Sequence, residues 1–323
     1  MDRRAFLGIV AGGLLAAPLA VGAQQARVHR VGVILQGGPY MLAVDGLREG
    51  LGKLGFEEGK EFVLHVRDAG GDITRVEAAA RELELDNVDM IYSVATSVTV
   101  IVKRATQKVP IVFYAGTDPV AAGLVESFSK PGGRITGSHG QFADLGAKRL
   151  EVLKALVPTL RRVGTFYSPH NPVYPHNAKI ARLAAERLNM ELVEWPVASV
   201  EELRTRLRAL RRKDVDALLV IDAMMGSQSE LIIEVGRTKP LPTMFSEREI
   251  VHKGGLVSYG IDYYAAGSLS ARQVQRILLG ADPGILPVEQ LNRLRLTINR
   301  NTANTLGLTI PPSVLAQTDE IIE

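Results

Sequence analysis

The chain of 323 residues contains no cysteine. Disulfide staples, thiol nucleophiles and thiolate metal sites are therefore excluded, and the composition fits an exported bacterial protein that avoids unwanted cross-links. A strong charge of one sign is also missing. The formal net charge is +3, and setting aside Asp2, Arg3 and Arg4 leaves +2. A near-neutral chain of this length has no general attraction for nucleic acid. Past the N-terminal region, no stretch is long and apolar enough to span a bilayer. There is no Gly-Lys-Ser or Gly-Lys-Thr, so no P-loop for ATP, and any ATPase would be a separate partner. The Gly-x-Ser-x-Gly nucleophile elbow is absent too. His170 and His176 flank an Asn-Pro-Val-Tyr-Pro stretch, but no third metal ligand is evident nearby, and neither a metal nor another cofactor is expected.

What is present begins with an address. Arg3-Arg4-Ala5-Phe6-Leu7 is a twin-arginine pattern, followed by an uncharged run rich in Ala, Gly and Leu. Val21-Gly22-Ala23 offers the small residues a signal peptidase needs, so residues 1–26 read as an export signal cleaved after Ala23. The alternative is a retained anchor, for which the run is short and glycine-rich.

The mature part is organised around residues 109–120. Val109-Pro110-Ile111-Val112-Phe113-Tyr114-Ala115 is an apolar run with a proline near its start, as in a strand buried on both faces of a parallel sheet. It ends in Gly116-Thr117-Asp118-Pro119. Asp118 suits a helix N-cap and Pro119 the first helical position, so a helix is expected to follow. Open α/β sheets bind ligands beyond the carboxyl ends of their strands, where Thr117 and Asp118 would stand. Asp118 is open to two readings, a cap alone or a ligand contact.

The same design recurs downstream. Residues 29–35 resemble 161–167, 88–93 resemble 215–220, the strand opening at 109 resembles 241–246, and 133–137 resemble 255–260. Four pairs in the same order imply two similar α/β lobes. Helical patterns at 45–54, 73–85, 173–188 and 200–210 lie between the strands, giving largely parallel, doubly wound sheets. Beyond Ile261, a helix at 263–279, an extended 285–290, a strand at 294–298 and a short helix at 301–306 remain. Sending the helix back to the first lobe and the last strand to the second makes lobe 1 residues 27–137 with 262–290, and lobe 2 residues 138–261 with 291–323. Crossings near Gly137, Ile261 and Leu291 would form a hinge.

At this point the chain resembles a family, the periplasmic substrate-binding proteins of ABC transporters with the type I fold, and among them the tryptophan- and tyrosine-type receptors. The residues that carry the resemblance are Phe56-Glu57-Glu58-Gly59-Lys60, Gly116-Thr117-Asp118-Pro119-Val120 and the stretch 127–137 with Lys130-Pro131-Gly132-Gly133. Ser168-Pro169-His170-Asn171-Pro172, Gly254-Gly255-Leu256 running on to Gly260, and Gly307-Leu308-Thr309-Ile310-Pro311-Pro312-Ser313 complete it. The resemblance implies a clamp that captures a small solute, an amino acid or aromatic compound among the candidates, in the periplasm. Its partners would be an inner-membrane permease and a separate ATPase subunit, with no nucleic acid. Carried over by position, the ligand residues are Gly37, Gly38 and Tyr40; Ala95, Thr96 and Ser97; Tyr114, Thr117 and Asp118; Tyr167, Ser168 and Asn171; and Asp222, Glu247, Arg248 and Tyr259. Hydroxyls and helix-start N–H groups suit a carboxylate, and Asp118 or Asp222 suits an ammonium. Tyr40, Tyr114 and Tyr167 could stack on a planar ligand, or simply pack at the sheet lip. Gln36-Gly37-Gly38-Pro39-Tyr40 departs from relatives that carry small residues or a proline there.

Two patterns are set aside. Gly50-Leu51-Gly52-Lys53-Leu54-Gly55 spells a dinucleotide fingerprint but lies within a helical pattern. The basic cluster Arg204, Arg206, Arg208, Arg211, Arg212 and Lys213 shares its segment with Leu203, Leu207 and Leu210, as in an amphipathic helix with a solvated basic face. A sensory module using the same clamp, and an enzyme on a doubly wound fold, are the alternative functions.

Overall fold

The computed structural model describes residues 27–140, 145–291 and 294–323. The export signal expected at 1–26 lies outside the described residues. In the first sheet, β1 (His29–Leu35), β2 (Phe62–Asp68), β3 (Met90–Val94), β4 (Ile111–Ala115) and β5 (Ile135–His139) are joined by helices α1 (Met41–Lys53), α2 (Arg75–Leu85) and α3 (Thr96–Ala105). Next come α4 (Leu145–Leu156), β6 (Arg162–Tyr167), α5 (Tyr174–Arg187), β7 (Glu191–Pro196), α6 (Val200–Ala209), β8 (Ala217–Leu219), α7 (Ala223–Ser227), α8 (Ser229–Thr238), β9 (Thr243–Phe245), α9 (Arg248–His252) and β10 (Val257–Ile261). The chain closes with α10 (Tyr263–Leu278), β11 (Glu289–Gln290), β12 (Leu294–Asn299), α11 (Arg300–Thr305), α12 (Pro312–Leu315) and β13 (Glu320–Ile322).

The sheets have the orders β11-β5-β4-β3-β1-β2 and β13-β12-β10-β9-β8-β6-β7. Their first five strands run in the same arrangement, with the order reversing between β1 and β3 in one lobe and between β6 and β8 in the other. All pairings are parallel except that of β10 with β12. The chain passes between sheets after His139, at Ile261 and between Gln290 and Leu294.

Each sheet is covered on both faces, which is why its central strands read as continuous apolar runs. Along β1, Val31, Val33 and Leu35 join Leu47, Leu51 and Val274 from α1 and α10, whereas Ile34 joins Ile73, Val76 and Leu83 on the opposite side. That is the two-residue alternation of a strand. In lobe 2, Val163 and Leu219 pack with α4 and α5, while Phe166, Leu218 and Phe245 pack with α6 and α8. A fully buried side chain such as Leu47 or Leu51 contributes about 1.5–3 kcal/mol by leaving water.

Local chemistry sets the helix ends. The α1 helix closes in a Schellman motif. Gly55 has φ +82°, the Phe56 N–H bonds the Leu51 carbonyl at 3.0 Å, and the Gly55 N–H bonds the Gly52 carbonyl at 3.0 Å. The Gly50–Gly55 spelling is thus helix and helix stop. At α6, the Ser199 hydroxyl caps the Glu202 N–H at 3.2 Å, Leu203 and Leu207 are buried, and Arg204 and Arg206 pair with Glu201 and Glu202 on the solvent side.

One expectation fails locally, and two strands went unread. No helix follows Asp118; the segment after β4 is a run of turns closed by the Leu124 N–H on the Pro119 carbonyl at 2.8 Å. Edge strands β2 and β7 were not foreseen, because at the sheet edge their half-buried, mixed sequences show no continuous apolar run.

Candidate functional site

The carboxyl ends of the two sheets face one another, and a cavity of about 130 Å³ lies between them. It sits at both points where strand order reverses, the crevice expected to hold ligands in such sheets. Lobe 1 contributes Tyr40 from the short turn before α1, Ala95, Thr96 and Ser97 from the start of α3, and Tyr114 and Thr117 from the end of β4. Lobe 2 contributes Asn171, Asp222 and Glu247. These nine foreseen residues come together.

The start of α3 is held under strain. Ala95 has φ +91°, in the region that side chains rarely adopt. Its N–H on the Tyr114 carbonyl at 2.9 Å, and the Thr99 N–H on its own carbonyl at 3.0 Å, fix that conformation. The strained residue sets Thr96 and Ser97 on the cavity wall at a helix start, where backbone N–H groups favour anionic partners. The Thr96 hydroxyl oxygen accepts from both the Thr117 N–H at 3.2 Å and the Thr117 hydroxyl at 3.0 Å. The Ser97 hydroxyl donates to Gln36 Oε1 at 3.3 Å.

Charge is concentrated in lobe 2. Asp222 accepts from Asn171 Nδ2 at 2.7 Å and from the Met224 N–H at 2.9 Å, yet burial pushes its pKa up to about 6. Glu247 is 2% exposed and its Oε2 has no hydrogen-bond partner among the described residues. Burial raises its pKa to about 7, against the pull of the Arg149 guanidinium.

Arg149, on α4, was not foreseen, and neither was Tyr263 at the start of α10; both line the cavity. Arg149 Nε donates to the Tyr259 carbonyl at 2.7 Å, and burial lowers its pKa while Glu247 opposes that shift. Tyr263 meets Tyr40 edge-on with ring centroids 4.9 Å apart, and Tyr114 edge-on at 5.7 Å. The Tyr114 hydroxyl is buried without a partner among the described residues. Burial raises the pKa of all three phenols, so they remain neutral hydrogen-bonding groups.

Seven foreseen residues lie off the cavity wall, each for a definite reason. Asp118 is exposed, and its Oδ1 accepts from the Val120 and Ala121 N–H groups at 2.8 and 3.1 Å, as in a turn. Gly37 sits against Asp68, where a Cβ would approach Oδ1 to 2.7 Å, and Gly38 lines a separate groove at the outer rim. Tyr167 stacks on Tyr174 with centroids 3.9 Å apart. Ser168 is buried, and its hydroxyl oxygen accepts from the His170 N–H at 3.3 Å. Arg248 turns to Glu249 at 2.9 Å and toward Glu320 at 3.9 Å. Tyr259 offers its carbonyl to Arg149, and its side chain packs against the lobe 2 core.

With this geometry in place, relatives can be compared. Residues 30–322 match the sequence pattern of the ABC transporter substrate binding proteins. The chain belongs to this family. Substrate-binding proteins of ABC systems work outside the cytoplasm and bind solutes rather than transform them. This substrate-binding protein is 28% identical over 267 residues to a tyrosine-binding protein of Clostridioides difficile, covering 82% of this chain and 76% of that one. A conserved domain protein of Vibrio cholerae, solved as a crystal structure, is 28% identical with a TM-score of 0.82, covering 91% of this chain and all of the other. An ABC domain in complex with L-Trp from Streptococcus pneumonia is 26% identical with a TM-score of 0.80, covering 92% and 100%. The two parallel-sheet lobes are those of the type I periplasmic binding proteins.

Proposed function

We propose that this substrate-binding protein is the periplasmic capture subunit of an ABC importer that takes up a small solute of the amino-acid class. The observation that carries the reading is the cavity between the two strand-order reversals, where Glu247 and Arg149 from lobe 2 face neutral tyrosines and a helix start from lobe 1. The relatives described as tyrosine-binding and as holding L-Trp support the class of solute. On this reading, residues 27–137 with 262–290 and residues 138–261 with 291–323 move as rigid lobes about the three crossings. A ligand contacting both favours the closed state by those extra contacts, and a permease served by a separate ATPase then receives it.

A thermal-shift screen of the mature chain against several hundred solutes tests this. A ligand at 100-fold above its Kd stabilises by about 2.7 kcal/mol, and mass spectrometry of the released compound should find it unaltered. Small-angle scattering should show a smaller radius of gyration with the bound hit. A screen without any stabilising solute, or a chemically altered product, would refute the reading.

A further inference from the structure

Tyr40 is the residue that bounds the cavity. It is 7% exposed, and it closes the Gln36-Gly37-Gly38-Pro39-Tyr40 loop after β1. Its hydroxyl reaches lobe 2 beside Gly226, where an added Cβ would lie 3.6 Å from it. Next to it in the chain, Gly38 and Pro39 line the outer groove between the lobes, together with Ser227. The Tyr40 ring therefore partitions the inner cavity from that groove.

The inner cavity already contains its own aromatic packing. Tyr40, Tyr263 and Tyr114 are joined edge-on, an arrangement that satisfies ring quadrupoles among themselves. About 130 Å³ remains beside them. A cavity of roughly 150 Å³ admits one benzene, and an indole with a charged backbone attached is much larger.

A buried carboxyl group, Glu247, and a half-buried guanidinium, Arg149, face the same space. Arg149 and Glu247 attract each other across it but form no contact ion pair among the described residues. Glu247 Oε2 is buried without a partner among the described residues, and such a group is costly unless something supplies it with one. A carboxylate would answer Arg149, with the Thr96 and Ser97 N–H groups at the start of α3 beside it, and an ammonium would answer Glu247. Val173, Ile180 and Ile221 provide an aliphatic wall.

We infer that the cleft selects a compact zwitterion, an amino acid with a small aliphatic side chain, and that Tyr40 excludes aromatic amino acids by occupying the volume their rings would need. The inference rests on the solute-capture reading above and narrows it. It assigns this chain a specificity different from the tyrosine and tryptophan named for its relatives.

The test is a thermal-shift and calorimetric panel of the common L-amino acids, each hit followed by its decarboxylated amine and its deaminated acid. Wild type should respond to small aliphatic members such as L-alanine, L-valine or L-proline, and at least tenfold more weakly to the matched amine and acid. L-tyrosine and L-tryptophan should give no shift. The Tyr40→Ala variant should gain binding of L-tryptophan or L-tyrosine, while Tyr40→Phe, which keeps the ring, should not. Circular dichroism checks that both variants fold; should Tyr40→Ala fail to fold, the wild-type panel still decides. Wild-type binding of an aromatic amino acid, or a hit from the wider screen lacking either charge, would overturn the inference while leaving solute capture intact. A wider screen with no hit would instead remove the solute-capture reading itself.

Discussion

Asn171 Nδ2 donates to Asp222 Oδ2 at 2.7 Å across a buried corner of lobe 2 that faces the cavity. The two residues lie on the loops after β6 and β8, where strand order reverses. Asn171 lowers the cost of burying a carboxylate whose pKa burial has raised to about 6. Replacing Asn171 with Ala should remove about 1–3 kcal/mol of stability at pH 8, where Asp222 is ionised. At pH 5 the carboxyl is largely protonated and the loss should be smaller. Urea unfolding at both pH values gives the comparison; equal losses would mean that the amide contributes by packing alone.

Glu247 should make the protein less stable at high pH. Its folded-state pKa, about 7, lies above the ordinary 4.5 because of burial, with Arg149 opposing the shift and Glu249 adding to it. Between those two values the folded chain holds a proton that the unfolded chain has released, so stability falls as pH rises through that window. The full effect, reached above pH 7, is about 3 kcal/mol. Glu247→Gln removes this contribution, so the variant should gain on wild type between pH 5 and pH 8. Asp222, Arg149 and the three cavity tyrosines face the same space, and the variant isolates Glu247 from them. Denaturant titrations with parallel pH dependence for the two proteins would contradict the assignment.

Two glycines on α1 should respond to alanine with opposite signs. A Cβ on Gly46 would lie 2.0 Å from the Tyr264 carbonyl oxygen, because α1 and α10 touch backbone to backbone there. Gly52 has nothing within 4 Å. Gly46→Ala should cost about 1–3 kcal/mol or more through overpacking. Gly52→Ala should gain about 0.5–1 kcal/mol from helix propensity. Melting temperatures of the two variants suffice, and a harmless Gly46→Ala would show that the helices can separate at little cost.

Asp118 should prove silent in binding. It is exposed and holds its turn through the Val120 and Ala121 N–H groups. Asn makes the same backbone contacts about as well, so Asp118→Asn should leave stability within about 0.5 kcal/mol and the Kd of any confirmed solute unchanged. A tenfold weaker Kd in calorimetry would return Asp118 to the site.

The sequence by itself determined the two-lobe α/β design, since its signals are local and repeated. The short apolar run 111–115, opened by a proline and closed by a glycine, reads as a strand covered on both faces, and Gly55 supplies the left-handed residue that ends α1. The resemblance carried by its motifs named Tyr40, Thr96, Ser97, Asn171 and Asp222 as candidate ligand residues, and all five line one cavity because strand ends in such sheets converge on one crevice. Tertiary structure decided the rest. Arg149 looks like any surface arginine of an amphipathic helix until α4 packs against β10 and turns it to the Tyr259 carbonyl. Tyr263 enters the cavity because close contact between α1 and α10 sets it against Tyr40. Asp118 stands in the turns after β4 and Arg248 at the first residue of α9, and which side of such a segment faces the cleft depends on the opposing lobe. That relation joins residues far apart in the chain, and no local pattern encodes it.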